Sequence, residues 1–187
     1  MANSKLSLIN NALILIGDVP LTSLTSGTRA QVVATSLYDN IVENELSKFR
    51  WGFARKVAQL SLDVAAPIGN EWESKYTLPA DMLNLIKLDP SINYQIIENK
   101  VYCNYSADLF CDYIANITDP SGWPIYFAKM IEYALAMDFA PSIRDSDSSM
   151  QNNAAAYQNA SRMARFTDSQ QHPQTPIQDR PFINVRY

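Results

Sequence analysis

Histidine is almost absent from this sequence: His172 stands alone, in a polar, proline-spaced tail. A histidine-based triad or a histidine-rich metal site therefore has nothing to be built from. Cys103 and Cys111 are too few for a disulfide framework or a zinc site. The five glycines form no phosphate-cradling loop. The apolar stretch from Leu6 to Ile16 is interrupted by Ser7, Asn10 and Asn11 and is too short and polar to span a bilayer. No basic start followed by a small-residue cleavage site is present, so no signal peptide is expected, and the product should be made in the cytoplasm. Basic excess is also lacking. A net charge of −4 argues against an overall electrostatic grip on nucleic acid, though not against a local basic patch. The expectations are no enzyme activity, no catalytic or metal-binding residue and no cofactor.

What is present is apolar mass: 47% hydrophobic residues and 11% aromatic ones, enough to fold a domain of moderate size. The densest stretch is Phe49-Arg50-Trp51-Gly52-Phe53-Ala54-Arg55-Lys56. Behind it Val33, Leu37, Ile41, Val42, Leu46, Phe49 and Phe53 recur at helical spacing, opposite Asp39, Asn40, Glu43, Asn44, Ser47 and Lys48. This predicts a long amphipathic helix of about seven turns, capped by Thr28, with Phe49, Trp51 and Phe53 as the core nucleus. Gly52 marks either a close backbone approach or a kink.

Ahead of that helix, Ser4 caps a first helix on Leu6, Ile9, Leu13 and Ile16, ended by Gly17. Beyond residue 62 the character changes. Residues 85–88, 94–97, 100–104 and 109–114 have strand composition, separated by Asp89-Pro90-Ser91, Glu98-Asn99 and Tyr105-Ser106-Ala107-Asp108. They predict an antiparallel meander. A four-residue turn at Tyr105–Asp108 leaves the two thiols unpaired, a three-residue turn sets them opposite each other, and both registers stand; free, half-buried thiols are expected. The lobe carries Tyr94, Tyr102, Tyr105, Phe110 and Tyr113. They either serve a protein interface or fold back on the helices. Asp119-Pro120-Ser121-Gly122-Trp123-Pro124 opens a helix apolar almost all round, stopped by Pro141, and a polar helix from Asp145 or Ser146 follows. The fold class expected is mainly α: an antiparallel helical bundle (1–83 and 118–169) with a small inserted antiparallel β lobe (84–117) and an extended C-terminal tail (170–187).

The order of motifs carries a resemblance. Asn11-Ala12-Leu13 to Gly17-Asp18, Glu45-Leu46 to Phe49-Arg50-Trp51-Gly52-Phe53-Ala54, Tyr76-Thr77-Leu78-Pro79-Ala80-Asp81, Tyr113-Ile114, and Asp119-Pro120-Ser121 to Trp123-Pro124 come in sequence. Over about residues 4–170 the chain resembles the podovirus tubular tail protein A family, the head-to-tail adaptors beneath the portal. The resemblance implies a structural virion protein of the tail, at the head-tail junction, made in the host cytoplasm and without membrane contact. It implies a dodecameric ring joining the portal protein to the tubular tail or nozzle protein. Such a ring helps retain packaged DNA, which passes through without sequence-specific binding during genome ejection.

Two alternatives remain open at this point. A tail-associated cell-wall hydrolase would draw on Glu43, Glu45, Glu71 or Glu73, although Glu43 and Glu45 do not share a helix face. A small DNA-binding module would use Arg50, Arg55 and Lys56 against phosphates. The tail holds Pro173, Pro176 and Pro181 and then Phe182-Ile183-Asn184-Val185-Arg186-Tyr187, apolar on alternate residues. Phe182, Ile183, Val185 and Tyr187 join the β-lobe aromatics as expected interface residues, ordering on assembly against a neighbouring adaptor or the portal.

Overall fold

The structure, a computed structural model, describes residues 3–65, 67 and 71–171. The first two helices start where their caps predict. The Ser4 hydroxyl accepts the Ser7 N–H ahead of α1 (Lys5–Leu15), and the Thr28 hydroxyl accepts the Gln31 N–H ahead of α2 (Arg29–Ser47). Gly17 follows α1 with a φ of 75°, a left-handed turn that suits glycine.

α2 stops earlier than the apolar spacing predicts. The chain folds back instead of continuing: the Trp51 indole N–H donates to the Glu45 carbonyl at 2.9 Å, satisfying a group that the ending helix leaves free. A short 3-10 turn, Gly52–Ala54, leads directly into β1 (Arg55–Gln59). Phe49 and Phe53 keep helical spacing in the sequence because they flank Trp51 in space, not because they share its helix.

Strands therefore begin at Arg55. β2 (Ser61–Leu62), β3 (Ser74–Thr77), β4 (Met82–Asp89), β5 (Tyr94–Ile97), β6 (Lys100–Cys103) and β7 (Phe110–Ala115) follow. They form a three-stranded antiparallel sheet in the order β1-β7-β4 and a four-stranded one in the order β2-β3-β6-β5. This overturns the mainly α reading: among the described residues the fold is α+β, with two sheets spanning residues 55–115 rather than a small lobe at 84–117. The meander is corrected as well. Only β5 and β6 form the expected hairpin, whereas β4 and β5, and likewise β6 and β7, lie in different sheets. Alternation marks a strand but says nothing of its partner, which here is set by how the sheets close on each other.

β1 and β2 are halves of one bent strand. The first half pairs with β7 and the second with β3, and the Leu60 N–H at the corner reaches the Leu109 carbonyl at 2.8 Å. Cys111, Tyr113 and Ala115 on one face of β7 join Leu60, Tyr76, Leu78, Leu88, Val101, Cys103 and Leu109 in a core between the sheets. Ile114, on the other face, belongs to the helical core. Both cysteines are free and fully buried rather than half-buried, each opposite other residues, and burial pushes both thiols up.

The helical layer centres on α3 (Ile125–Arg144), which packs against α1, α2 and α4 (Asp147–Gln170). α3, rather than α2, is the helix that the other three share. Pro141 does not stop it; the helix absorbs one lost backbone hydrogen bond in its last turn and ends at Asp145, whose φ of 47° is left-handed. Trp51 is 1% exposed, with the Phe49 and Phe127 rings 5.0 Å away and Phe53 at 6.2 Å. Trp51→Ala should lower unfolding free energy by about 3–5 kcal/mol in a chemical melt. A variant that melts like the parent chain would refute the structural assignment.

Candidate functional site

Where helices meet sheets, polar groups fix the seam. The buried carboxylate of Asp168, in the last turn of α4, accepts the Gly52 N–H at 3.0 and 3.1 Å and the Tyr126 hydroxyl at 2.8 Å. Buried Glu45 accepts Lys48 Nζ at 2.6 Å and the Tyr157 hydroxyl at 2.8 Å. Burial pushes the Tyr126 and Tyr157 hydroxyls up, and their carboxylate partners add to it. The Trp123 indole donates to the Ile117 carbonyl at 2.9 Å, and its ring meets Phe127 at 5.1 Å.

The Tyr76–Asp81 motif is a second joint. The Tyr76 hydroxyl donates to the carbonyls of Tyr105 and Ala107 at 3.1 and 2.7 Å, pinning the chain where it crosses from β6 to β7. Asp81 accepts Lys56 Nζ at 2.8 Å and the Tyr113 hydroxyl at 3.0 Å. The Lys56 ammonium foremost holds the Asp81 carboxyl low, while burial pushes Tyr113 up to about 12. Two of the motifs that carry the resemblance, Glu45–Ala54 and Tyr76–Asp81, thus tie the chain to itself within the subunit.

An open cleft of about 840 Å³ lies between the end of α2 and the outer face of the three-stranded sheet. Phe49, Leu85 and Ile86 supply apolar walls, and Lys48, Arg50 and Lys87 supply cations at its rim. On its floor Arg55 grips Asp112 bidentately, Nε to Oδ1 at 2.7 Å and a terminal nitrogen to Oδ2. A smaller cleft of about 300 Å³ shares Arg55, Lys87 and Asp112 and runs on to Val57 and Phe110. Those two are 67 and 41% exposed, on the sheet face that the helices leave uncovered.

The expected interface residues divide. Tyr94 is exposed together with Ile96 and Ile97 on β5, an edge strand of the four-stranded sheet whose outer side no described strand pairs. Phe110 is exposed on the other sheet. Tyr102 and Tyr113 are buried, and Tyr105 is half-buried against the inter-sheet core, so these three pack within the subunit. Phe182, Ile183, Val185 and Tyr187, like His172, lie outside the described residues.

The carboxylates that a hydrolase would draw on are divided. Glu45 is tied as above, and Glu43, Glu71 and Glu73 are exposed. Of the three proposed phosphate contacts, Arg55 holds Asp112 and Lys56 holds Asp81, which leaves Arg50. No group of three His, Cys, Asp or Glu among the described residues could hold a metal ion, and no described helix is long and apolar enough to cross a membrane. Asp112 and Asp168 escaped the sequence reading. Asp112 had a signal, a charge inside an apolar strand; Asp168 had none, because its partners are 116 and 42 residues away. Neither a protein-family model nor a curated protein matches the chain.

Two outcomes follow from these pairs. Arg55→Ala strands a buried carboxylate, while Asp112→Ala frees a half-exposed arginine to turn to water. The first should cost about 3 kcal/mol and the second clearly less, in urea melts of both; equal costs would contradict the geometry. The stability contributed by Asp81 is present above its ordinary value of 3.8 and fades as pH falls through its depressed folded value. That contributed by Tyr113 is complete below 10.0 and is lost as pH climbs towards about 12. Melting temperature against pH should flatten on the acid side in Asp81→Asn and lose part of its alkaline slope in Tyr113→Phe.

Proposed function

We propose that this chain is a structural virion protein, a head-to-tail adaptor that assembles as a ring between a phage portal and its tubular tail or nozzle. One observation carries the reading beyond the resemblance in motif order. A single subunit presents two unlike open surfaces: the uncovered sheet face with Val57 and Phe110, and the free β5 edge with Tyr94, Ile96 and Ile97. Head-to-tail rings need such a pair, because each subunit joins its neighbours through two different patches. Large apolar side chains on both suit contact with protein. The resemblance supplies the finer terms: a dodecamer, the portal above, the nozzle below, and DNA retained and passed without base-specific contact.

The hydrolase alternative would need paired carboxylates facing a cleft, and Glu45 is engaged elsewhere. The DNA-binding alternative keeps Arg50 and Lys87 at the rim of the large cleft, next to the Arg55–Asp112 pair. Native mass spectrometry and electron microscopy of the purified chain, alone and with the portal protein of the same phage, test the proposal. A closed ring is expected, and Val57→Asp with Phe110→Ser should abolish it without lowering the melting temperature. A chain that stays monomeric and never binds portal would sink the adaptor reading. Salt-sensitive binding to duplex DNA by the monomer would favour its rival.

A further inference from the structure

The free edge of the four-stranded sheet leaves the same two residues unpartnered in two respects. Glu98 and Asn99, at φ 49° and 60°, form the two-residue left-handed turn that closes β5 on β6. Ile97 and Lys100 are then the hydrogen-bonded pair beside the turn, and pairing alternates from there. The backbone N–H and C=O of Ile96 and Tyr94 therefore point away from β6, to an edge where no described strand meets them. Their side chains lie on the face of Val101 and Cys103, which turns towards the inter-sheet core. Yet Tyr94 and Ile96 are 42 and 44% exposed. Backbone and side chains together describe the place of an absent strand. A cleft of about 200 Å³, lined by Leu88 of β4, Ile92 and Tyr94, lies beside it.

We infer that the strand completing this edge is the C-terminal segment 181–187 of a neighbouring copy, a proposal that rests on the ring reading and gives it its subunit contact. Ile183, Val185 and Tyr187 alternate with Asn184 and Arg186. A strand with the first three turned inward covers Tyr94 and Ile96 and leaves the polar pair to water. Pro181 suits the first position of a strand, where no ladder donor is needed. The reach is sufficient. α4 ends at Gln170, close to where Asp168 holds Gly52 at the helix–sheet seam. The ten residues from Gln171 to Arg180 can span at most about 35 Å, close to the width of a folded subunit of about 40 Å. Strand addition satisfies the open backbone edge and buries apolar surface in one step.

Full-length chains carrying Ile96→Cys, mixed with full-length chains carrying Val185→Cys and mildly oxidised, test the contact. Cys103 and Cys111 are buried and serve as the internal background. A disulfide between 96 and 185 should form between copies, about tenfold more than with Asn184→Cys, whose side chain faces away. In the unsubstituted chain, exchange of the Ile96 amide should slow on assembly. Equal yields for 185 and 184, or a 96–185 link found only within one chain of the double variant, overturn the inference, as does an Ile96 amide unprotected in the ring. Rings without the link sink the strand exchange and spare the adaptor reading. The link in open chains or dimers that never close spares the exchange and sinks the adaptor reading.

Discussion

Everything in this molecule hangs on how one turn is held, the turn at which the chain leaves its helical layer and enters its sheets. The Trp51 indole caps the end of α2 at the Glu45 carbonyl, and the Asp168 carboxylate takes the Gly52 amide from the far end of α4. Each bond is modest alone. Together they sit under an aromatic cluster of Phe49, Phe53, Phe127 and Trp123, where water is excluded and an unpaired amide or carboxylate would cost far more than a bond returns. The turn aims β1 away from the helices, and β1 sets the direction of the three-stranded sheet.

That sheet then divides its faces along its length. Ile114 enters the helical core, Cys111 and Tyr113 enter the inter-sheet core, and Asp112 is held between by Arg55. Beyond Asp112 the helices no longer cover the outer face, so Val57 and Phe110 stand in solvent. The bend at Leu60 carries the same strand into the second sheet, whose last member, β5, is left with an open edge. Both exposed surfaces are thus by-products of one architecture: a short helical layer over a longer, folded sheet. An assembling subunit is a natural use for them, since their apolar residues contribute little to the isolated fold.

Local signals read correctly wherever the physics is local. Ser4 and Thr28 cap the amides three residues on, and Glu98-Asn99 closes its own hairpin. The strand-forming segments from 82 to 115 also declare themselves by composition. Partner choice does not. Cys103 and Cys111 look like residues of one hairpin, whether facing or offset, yet Cys103 lies opposite Ser74 and Tyr94 while Cys111 lies opposite Ala58 and Leu88. Likewise Tyr102 and Tyr113 are indistinguishable from Tyr94 in the sequence, and only the position of each strand within its sheet makes them buried and Tyr94 exposed.

The sequence by itself determined the lack of histidine among residues 1–171, the positions of the helix starts, the existence of most strands and the burial of Trp51, with Phe49 and Phe53 partly buried beside it. Those depend on residue type and on spacings within one or two turns. Tertiary structure alone decided that α2 ends at Ser47, that Arg55 begins a sheet, and that Asp112 and Asp168 become internal ties. A helix that could continue by spacing stops where the Trp51 indole donates to one of its free carbonyls, and the Asp168 carboxylate takes the Gly52 amide of the turn that follows. The second tie exists only once α4 is in place, so no window of the sequence contains it.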